Sequence, residues 1–188
     1  LIFFCRVFLE LLQFFLENTE LTGIDINENA LITARENSDG SINFEHLSLY
    51  DLEKFDLIHI HDWHTSLIPI LLDNSKHKGM NTLLTIHNIE YQGFGNKEII
   101  NKLGINNFVH RDDHINFLEI GINTATKLST VSPTYKEELK YEYYGKNLTY
   151  ALLNRERDFY GILNGISSSF NPETDKLIFC NYNSENID

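Results

Sequence analysis

Two apolar segments that each end in polar residues constrain the fold of this chain most strongly. Residues 56–64 read DLIHIHDWH, and residues 82–93 read TLLTIHNIEYQG. Short apolar runs bounded by turn signals are typical of strands buried in a sheet. In an open α/β sheet, the carboxyl ends of such strands border one crevice, where ligands bind. We therefore predict that the polar residues after these two strands line a single site.

The rest of the chain alternates between strand and helix patterns. Strands are predicted at 21–26, 42–49, 55–60, 82–86, 127–131 and 159–163, and helices at 1–17, 29–36, 66–73, 98–103, 114–123 and 132–141. This alternation predicts an α/β class with a Rossmann-like architecture. Its sheet would be mostly parallel and covered by helices on both faces.

Composition excludes several classes of partner. The chain has 188 residues, 42% of them hydrophobic, and a net charge of −12, which disfavours nucleic-acid binding because phosphate contacts need clustered basic residues. Residues 1–16 are apolar but interrupted by Arg6 and Glu10, so we predict a core-facing helix and no membrane span. Cys5 and Cys180 lie far apart, which favours a reducing, cytoplasmic compartment, or a plastid in a plant.

The histidines of the first segment raise the question of a metal site. His59, His61 and His64 are similar to the HxHxDH signature of metallo-β-lactamase-type hydrolases. The acidic residue, Asp62, is shifted by one position, which turns it to the other face of an extended segment. Zinc requires three or four convergent ligands. We therefore predict that no metal is bound.

Five ordered motifs carry a more specific resemblance. They are HDWHTSLIPILL, TIHNIEYQG, GINTATKLSTVSPTYKEEL, YYGKNLTYALL and GILNGISSSFNPETDKLI. In this order and approximate spacing, the chain resembles bacterial glycogen synthases and plant starch synthases, over residues 1–17 and 55–177. The resemblance implies a retaining glucosyltransferase with the two-domain GT-B fold. Such an enzyme transfers glucose from ADP-glucose to the non-reducing end of an α-1,4-glucan.

The resemblance also implies roles for individual residues. His87 and Asp62 match the catalytic histidine and acidic residue near the transferred glucose. The substrate-binding residues would be Trp63, Asn88, Tyr91, Gln92, Gly93 and Asn164. The residues alone leave other roles open, because Asp62 could cap a helix, Trp63 could belong to the core, and Asn164 could lie in a plain turn. We expect the tyrosines at 141–144 to pack rather than to bind glucan.

The chain would form an incomplete acceptor-side, N-terminal domain of a GT-B enzyme. The Lys-x-Gly-Gly loop of the family has no counterpart here, and the C-terminal domain that grips the nucleotide would be a missing partner. ADP-glucose would be the donor substrate, α-1,4-glucan the acceptor, and no resident cofactor is implied. We expect this polypeptide to be inactive alone, and a non-catalytic glucan-binding remnant stays an alternative.

Residues 18–54 interrupt the resemblance. The segment is similar to the middle of S-adenosylmethionine methyltransferases, in which Asp25 would hold the ribose hydroxyls. The glycine-rich turn that such a site needs is absent from the residues before it. We therefore divide the chain into a synthase-like helix at 1–17, an insertion or splice at 18–54, and a synthase-like domain at 55–188. A methyltransferase fragment is the second alternative.

Overall fold

The computed structural model describes residues 22–25, 28–36, 40, 42–47, 52, 54–104, 114–165 and 171–186. The helix predicted at 1–17 lies outside these ranges.

The described elements include the strands predicted from residue 21 onwards, together with two short strands and several short helices that were not predicted. The strands are β1 (Thr22–Asp25), β2 (Asn43–His46), β3 (Leu57–His61), β4 (Asn81–Ile86), β5 (Phe94–Asn96), β6 (His114–Asn116), β7 (Lys127–Thr130) and β8 (Phe159–Gly161). The helices are α1 (Glu28–Glu36), α2 (Asp62–Thr65), α3 (Ile68–Asp73), α4 (Lys97–Leu103), α5 (Phe117–Thr124), α6 (Pro133–Glu138), α7 (Glu142–Gly145) and α8 (Thr149–Asn154). A 3₁₀ turn spans Glu156–Asp158.

The main sheet contains four parallel strands in the order β3-β4-β7-β8. Its register pairs His61 with Thr85, and Thr85 with Ser129. All four strands run in one direction, so their carboxyl ends meet at the same edge. This confirms the predicted α/β class with a mostly parallel sheet.

The hydrophobic core lies between this sheet and the helices that pack on it. Ile60, Leu84, Leu128 and Phe159 come from four adjacent strands, and each is at most 2% exposed. Leu118 and Ile122 of α5 lie in the same cluster. Burying an aliphatic or aromatic side chain of this size contributes about 1.5–3 kcal/mol. Packing in this core therefore holds the four strands together beside the edge where their carboxyl ends meet.

Two small sheets accompany the main one. Strands β1 and β2 form a parallel pair, whereas β5 and β6 form an antiparallel pair. The helix predicted at 114–123 is wrong in its first turn, because His114–Asn116 pairs with Phe94–Asn96. That pairing joins distant residues, and local periodicity carries no information about it.

The segment after β3 also differs from its prediction. A single helix was expected at 66–73, but two short helices form, Asp62–Thr65 and Ile68–Asp73. Pro69 lies in the first turn of the second helix, where its missing N–H is tolerated. Within the described ranges, no helix has the length and apolar character needed to cross a bilayer.

Candidate active site

Asp62 joins the carboxyl ends of two neighbouring strands. Its Oδ1 atom accepts hydrogen bonds from the backbone N–H groups of His87 at 2.8 Å and of Asn88 at 3.2 Å. Asp62 directly follows β3, and His87 directly follows β4. The predicted proximity of these residues thus arises from a direct contact, in which the carboxylate holds the backbone that carries the imidazole.

The backbone of Asp62 adopts an uncommon conformation. Its φ angle is +50°, in the left-handed region that non-glycine residues seldom occupy. The Thr65 hydroxyl secures the preceding residue, since it accepts from the His61 N–H at 2.7 Å and donates to the His61 carbonyl at 2.8 Å. Strained residues persist where the surrounding structure determines them, and they cluster at functional sites. The chain thus turns sharply after β3 and directs the carboxylate towards β4.

His87 contacts a second imidazole. The Nε2 atom of His87 lies 3.0 Å from the Nδ1 atom of His61, a hydrogen-bond distance, and the ring centroids are 5.2 Å apart. His61 is only 6% exposed, whereas His87 is half-buried. The ring of His87 is therefore anchored on one side and accessible on the other.

A line of polar side chains continues below this pair. His59 Nε2 lies 2.7 Å from Thr85 Oγ1, which lies 2.6 Å from Ser129 Oγ. Residues two apart on a strand share a face, and the register brings His61, Thr85 and Ser129 side by side. The line therefore crosses three strands on one face of the sheet.

Burial keeps the two strand histidines uncharged at neutral pH. Burial, with the neighbouring His87 as a smaller cause, lowers the pKa of His61 from 6.5 to about 4. Burial also lowers the pKa of His59 well below its ordinary value, with smaller contributions from the nearby His61 and His87. Both rings consequently act near pH 7 as neutral groups that each have one donor and one acceptor nitrogen.

The loop after β4 is held by its own polar groups. Asn88 Oδ1 accepts from the Glu90 N–H at 3.0 Å, which forms a tight turn. Gln92 is 7% exposed, and its Nε2 donates to the carbonyls of Ile89 at 3.1 Å and Lys146 at 2.8 Å. The Gln92 side chain therefore supports the loop from inside, and its expected contact with a sugar stays a prediction.

Tyr91 and Asn88 occupy the outer side of the same loop. Tyr91 is 66% exposed, and Asn88 is also exposed. Because Asn88 Oδ1 is engaged in the turn, its amide nitrogen is the group that it can offer to a ligand as a donor. These two side chains are the accessible members of the predicted substrate-binding loop.

Trp63 packs against the glycine of this loop. A Cβ atom at Gly93 would lie 2.2 Å from Cε3 of Trp63, and the φ angle of Gly93 is +63°. The indole also stacks on the rings of His64, at 4.2 Å between centroids, and Phe117, at 6.4 Å. Trp63 is half-buried, so it both supports the loop and keeps part of its surface accessible.

Asn164 lies at the same edge but further along it. It follows β8, two strands from β4, and its N–H donates to the carbonyl of Val131 at 3.2 Å. Its buried Oδ1 atom has no hydrogen-bond partner among the described residues. A buried acceptor without a partner is uncommon in folded proteins. The described contacts do not link Asn164 directly to Asp62 or His87.

Tyr135 and Thr85 are also supporting residues that the sequence did not indicate. Tyr135 of α6 accepts the Ile89 N–H at 3.4 Å, and burial raises the pKa of this phenol above its ordinary value. Thr85 joins the polar line at the centre of the sheet. Thr85 precedes His87 by two positions, so the period-2 alternation of a strand is the signal that could have identified it.

Three further predictions concern Asp25, a bound metal ion and the tyrosines at 141–144. Asp25 ends β1 opposite His46, and its side chain lies outside the description, so its proposed ribose contact stays a prediction. The described residues contain no group of three or more His, Cys, Asp or Glu side chains that could hold a metal ion. The tyrosines at 141, 143 and 144 are exposed, although packing was expected for them.

The arrangement suits the recognition of a polyhydroxylated ligand. One edge of the sheet presents a carboxylate, an imidazole, two amides and a phenol, which together can both donate and accept hydrogen bonds. The second carboxylate oxygen of Asp62 makes no hydrogen bond within the described part of the chain. A negative group held rigidly at such an edge can stabilise positive charge that develops on a bound substrate.

The chain is similar to known proteins of one family. A family model described as the starch synthase catalytic domain matches residues 36–154. The glycogen synthase of Acholeplasma laidlawii is 44% identical over 142 residues, which cover 70% of this chain and 30% of the relative. That of Thermotoga maritima is 38% identical over 172 residues, which cover 85% of this chain and 34% of the relative.

A solved structure is also similar. It is the catalytic domain of starch synthase IV from Arabidopsis thaliana bound to ADP and acarbose, with 32% identity and a TM-score of 0.61. The similarity covers 73% of this chain and 31% of that one. The chain thus spans about a third of the length of the relatives that it matches.

The family match begins at residue 36, inside the segment for which an insertion or splice was predicted. The alignment with the Thermotoga maritima relative covers more of the chain than residues 55–188 alone can supply. The division at residue 54 stays a prediction. The resemblance to glycogen and starch synthases is confirmed, since the family model covers more than half of the chain. The chain belongs to the starch synthase catalytic domain family.

Proposed function

We propose that this chain forms the acceptor-side part of a retaining glucosyltransferase that transfers glucose from ADP-glucose to the non-reducing end of an α-1,4-glucan. The observation that carries the proposal is the contact of the Asp62 carboxylate with the backbone of His87 and Asn88. This contact holds the carboxyl ends of β3 and β4 together at one polar edge of the sheet. The chain that forms this edge belongs to the starch synthase catalytic domain family. The similar catalytic domain of starch synthase IV from Arabidopsis thaliana is bound to ADP and acarbose, which supports a nucleotide among the ligands of this chain.

In this proposal, His87 and Asp62 act on the glucose that is transferred. The imidazole of His87 hydrogen-bonds a glucose hydroxyl, and the carboxylate of Asp62 stabilises the oxocarbenium character of the transition state. The remaining substrate contacts come from Trp63, Asn88, Tyr91, Gln92, Gly93 and Asn164. Asn164 follows β8 at the same edge of the sheet as Asp62 and His87, which supports its place among these contacts.

The second domain of a GT-B enzyme would complete the site as a partner. It would grip the diphosphate and close over the polar edge, which excludes water from the reaction. The chain by itself is then expected to transfer no glucose. No resident cofactor takes part, because the sugar nucleotide supplies both the glucosyl group and the leaving group.

The test joins this chain to the C-terminal domain of a glycogen synthase and adds the Lys-x-Gly-Gly loop of that enzyme. Incorporation of labelled glucose into maltoheptaose is measured with ADP-glucose and, separately, with UDP-glucose. We expect incorporation by the fusion protein, and a loss of at least about 100-fold after His87→Ala. His77→Ala is the matched control, because His77 precedes the amino end of β4, opposite the polar edge. It is expected to retain activity.

Each result decides between the proposals. An active His87→Ala fusion protein would contradict the role assigned to His87. Binding of maltoheptaose without transfer would favour the non-catalytic glucan-binding alternative. If the fusion protein neither binds nor transfers, both proposals are wrong.

A further inference from the structure

His61 is a buried imidazole to which the family resemblance assigns no role. It is 6% exposed and stands directly beside His87, with 3.0 Å between its Nδ1 atom and the Nε2 atom of His87. Its position is determined from two other sides. The Thr65 hydroxyl binds its backbone, and the ring of His59 packs against its ring at 4.2 Å between centroids, with the two planes tilted by 41°. A residue held this firmly can orient its neighbour.

The contact between the two rings constrains protons as well as geometry. When two neutral imidazoles form a hydrogen bond, one nitrogen donates its N–H and the other accepts. The contact therefore selects one tautomer of His87. It also determines whether the other ring nitrogen of His87, Nδ1, acts as a hydrogen-bond donor or as an acceptor towards a ligand.

One direction of this hydrogen bond is compatible with both charge states of His87. If His61 Nδ1 accepts, His87 Nε2 can donate whether the His87 ring is neutral or protonated. If His61 donated instead, protonation of His87 would bring two N–H groups together and break the contact. The burial of His61 keeps its ring neutral near pH 7, so that its acceptor nitrogen persists.

We propose that His61 is a positioning residue that accepts a hydrogen bond from His87 Nε2 and thereby holds His87 in the Nε2–H tautomer. The Nδ1 atom of neutral His87 is then left as an acceptor for a substrate hydroxyl. This inference deepens the proposed function and rests on it for the identity of the substrate. The hydrogen bond itself does not depend on that identity.

The first test is spectroscopic and requires no activity. The ring nitrogens of the 188-residue chain, labelled with ¹⁵N at histidine, are observed by long-range ¹H–¹⁵N correlation at about pH 9, well above the ordinary pKa of histidine, about 6.5. We expect His87 as the Nε2–H tautomer in the parent chain. After His61→Leu, which removes every polar atom of the side chain at similar size, we expect an averaged mixture of tautomers.

Three further variants make this test specific. His61→Asn places an amide atom near the position of Nδ1 and is expected to restore the Nε2–H tautomer. His61→Gln keeps an amide but moves it further from the backbone, to the position of Nε2, and is expected not to restore it. His77→Leu replaces a buried histidine elsewhere in the chain and is expected to leave the His87 signals unchanged.

The second test measures kinetics in the fusion protein described above. A positioning role predicts that His61→Leu lowers kcat by about 10- to 100-fold while KM for ADP-glucose changes little, and that His61→Asn recovers most of kcat. A merely structural role would lower stability without this separation of kcat from KM and without rescue by Asn.

The outcomes separate this inference from the proposed function. An Nδ1–H tautomer of His87 in the parent chain, or an unchanged tautomer after His61→Leu, would overturn the inference. If His61→Leu fails to fold, the comparison between Asn and Gln decides, and equal spectra for these two variants would also overturn it. A fusion protein without activity, combined with the expected tautomers, would contradict the proposed function and leave the hydrogen bond established.

Discussion

At the scale of single residues, the site depends on two positions with left-handed backbone conformations. Asp62 has a φ angle of +50° and Gly93 one of +63°. Asp62 offsets its strain with two hydrogen bonds to the backbone after β4. Glycine at position 93 avoids backbone strain at this φ angle. It also avoids a steric clash, because the Cβ atom of any other residue would overlap the Trp63 ring. Each residue can be tested against a matched position elsewhere in the chain.

Gly93→Ala is expected to be strongly destabilising. The new Cβ would lie 2.2 Å from Trp63, in addition to the cost of a left-handed alanine. Together these effects lower the free energy of unfolding by about 3 kcal/mol in urea denaturation. Gly79→Ala is the control, since Gly79 has a φ angle of +89° but no atom within 4 Å of the added Cβ. Gly79→Ala should lower the free energy of unfolding by only about 1 kcal/mol. An equal decrease for Gly93→Ala and Gly79→Ala would contradict the packing argument.

Asp62→Ala removes the acceptor that serves two backbone N–H groups. We expect the free energy of unfolding to fall by about 2 kcal/mol, and by about half as much for Asp62→Asn, because asparagine retains an acceptor and tolerates the left-handed region. Asp73→Ala, at an exposed helix end, should change stability by less than about 0.5 kcal/mol. Urea denaturation of the three variants measures these differences. The same loss for Asp62→Ala and Asp73→Ala would show that the carboxylate does not hold the strand ends together.

At the scale of elements, the parallel register organises the polar line beneath the site. His61, Thr85 and Ser129 lie side by side on β3, β4 and β7, and all three are buried. An apolar core at these positions would be simpler to stabilise, because buried polar groups require partners with good geometry. The line gives the strand ends a defined arrangement, and it also makes the stability of the sheet sensitive to pH.

Stability is expected to decrease on acidification. The pKa of His61 is about 4 in the folded chain and 6.5 when unfolded, so the unfolded chain binds more protons between these values. The free energy of unfolding therefore falls as the pH is lowered through this window. From pH 7 to pH 5, His61 alone accounts for about 2 kcal/mol. Urea denaturation at both pH values measures the loss, which should be smaller in His61→Asn. An equal loss in the variant would mean that other groups cause it.

At the scale of the whole molecule, the sheet extends beyond the residues that match the family model. The match ends at residue 154, but β8 at Phe159–Gly161 pairs with β7, and Phe159 is buried in the core. Asn164, which follows β8, contributes to the polar edge. In contrast, Leu177 and Phe179 in the described segment 171–186 are almost fully exposed. The structural unit thus includes β8.

A chain that ends at residue 154 is expected to lose cooperative unfolding. It lacks the edge strand of the main sheet and the buried Phe159 ring, whose removal from a core costs about 3–5 kcal/mol. A chain that ends at residue 170 keeps both and should unfold like the full chain. Urea denaturation followed by circular dichroism compares the two. Similar cooperative transitions would show that β8 is dispensable for the fold.

The sequence by itself determined the α/β class and the polar edge. Alternating strand and helix patterns are local, and parallel strands necessarily bring their carboxyl ends to one edge, so Asp62 and His87 could be predicted as neighbours. The ordered motifs also indicated the family. These conclusions depend on periodicity and motif order, which are determined by the order of residues along the chain.

Only the tertiary structure decided how the site is held together. The contact between His61 and His87, the support of Gln92 by Asn116, and the antiparallel pairing of β5 with β6 all join residues that are distant in sequence. The left-handed turn at Asp62 likewise depends on hydrogen bonds from the backbone that follows β4. Such contacts depend on register and side-chain packing in three dimensions, and a local pattern does not encode them.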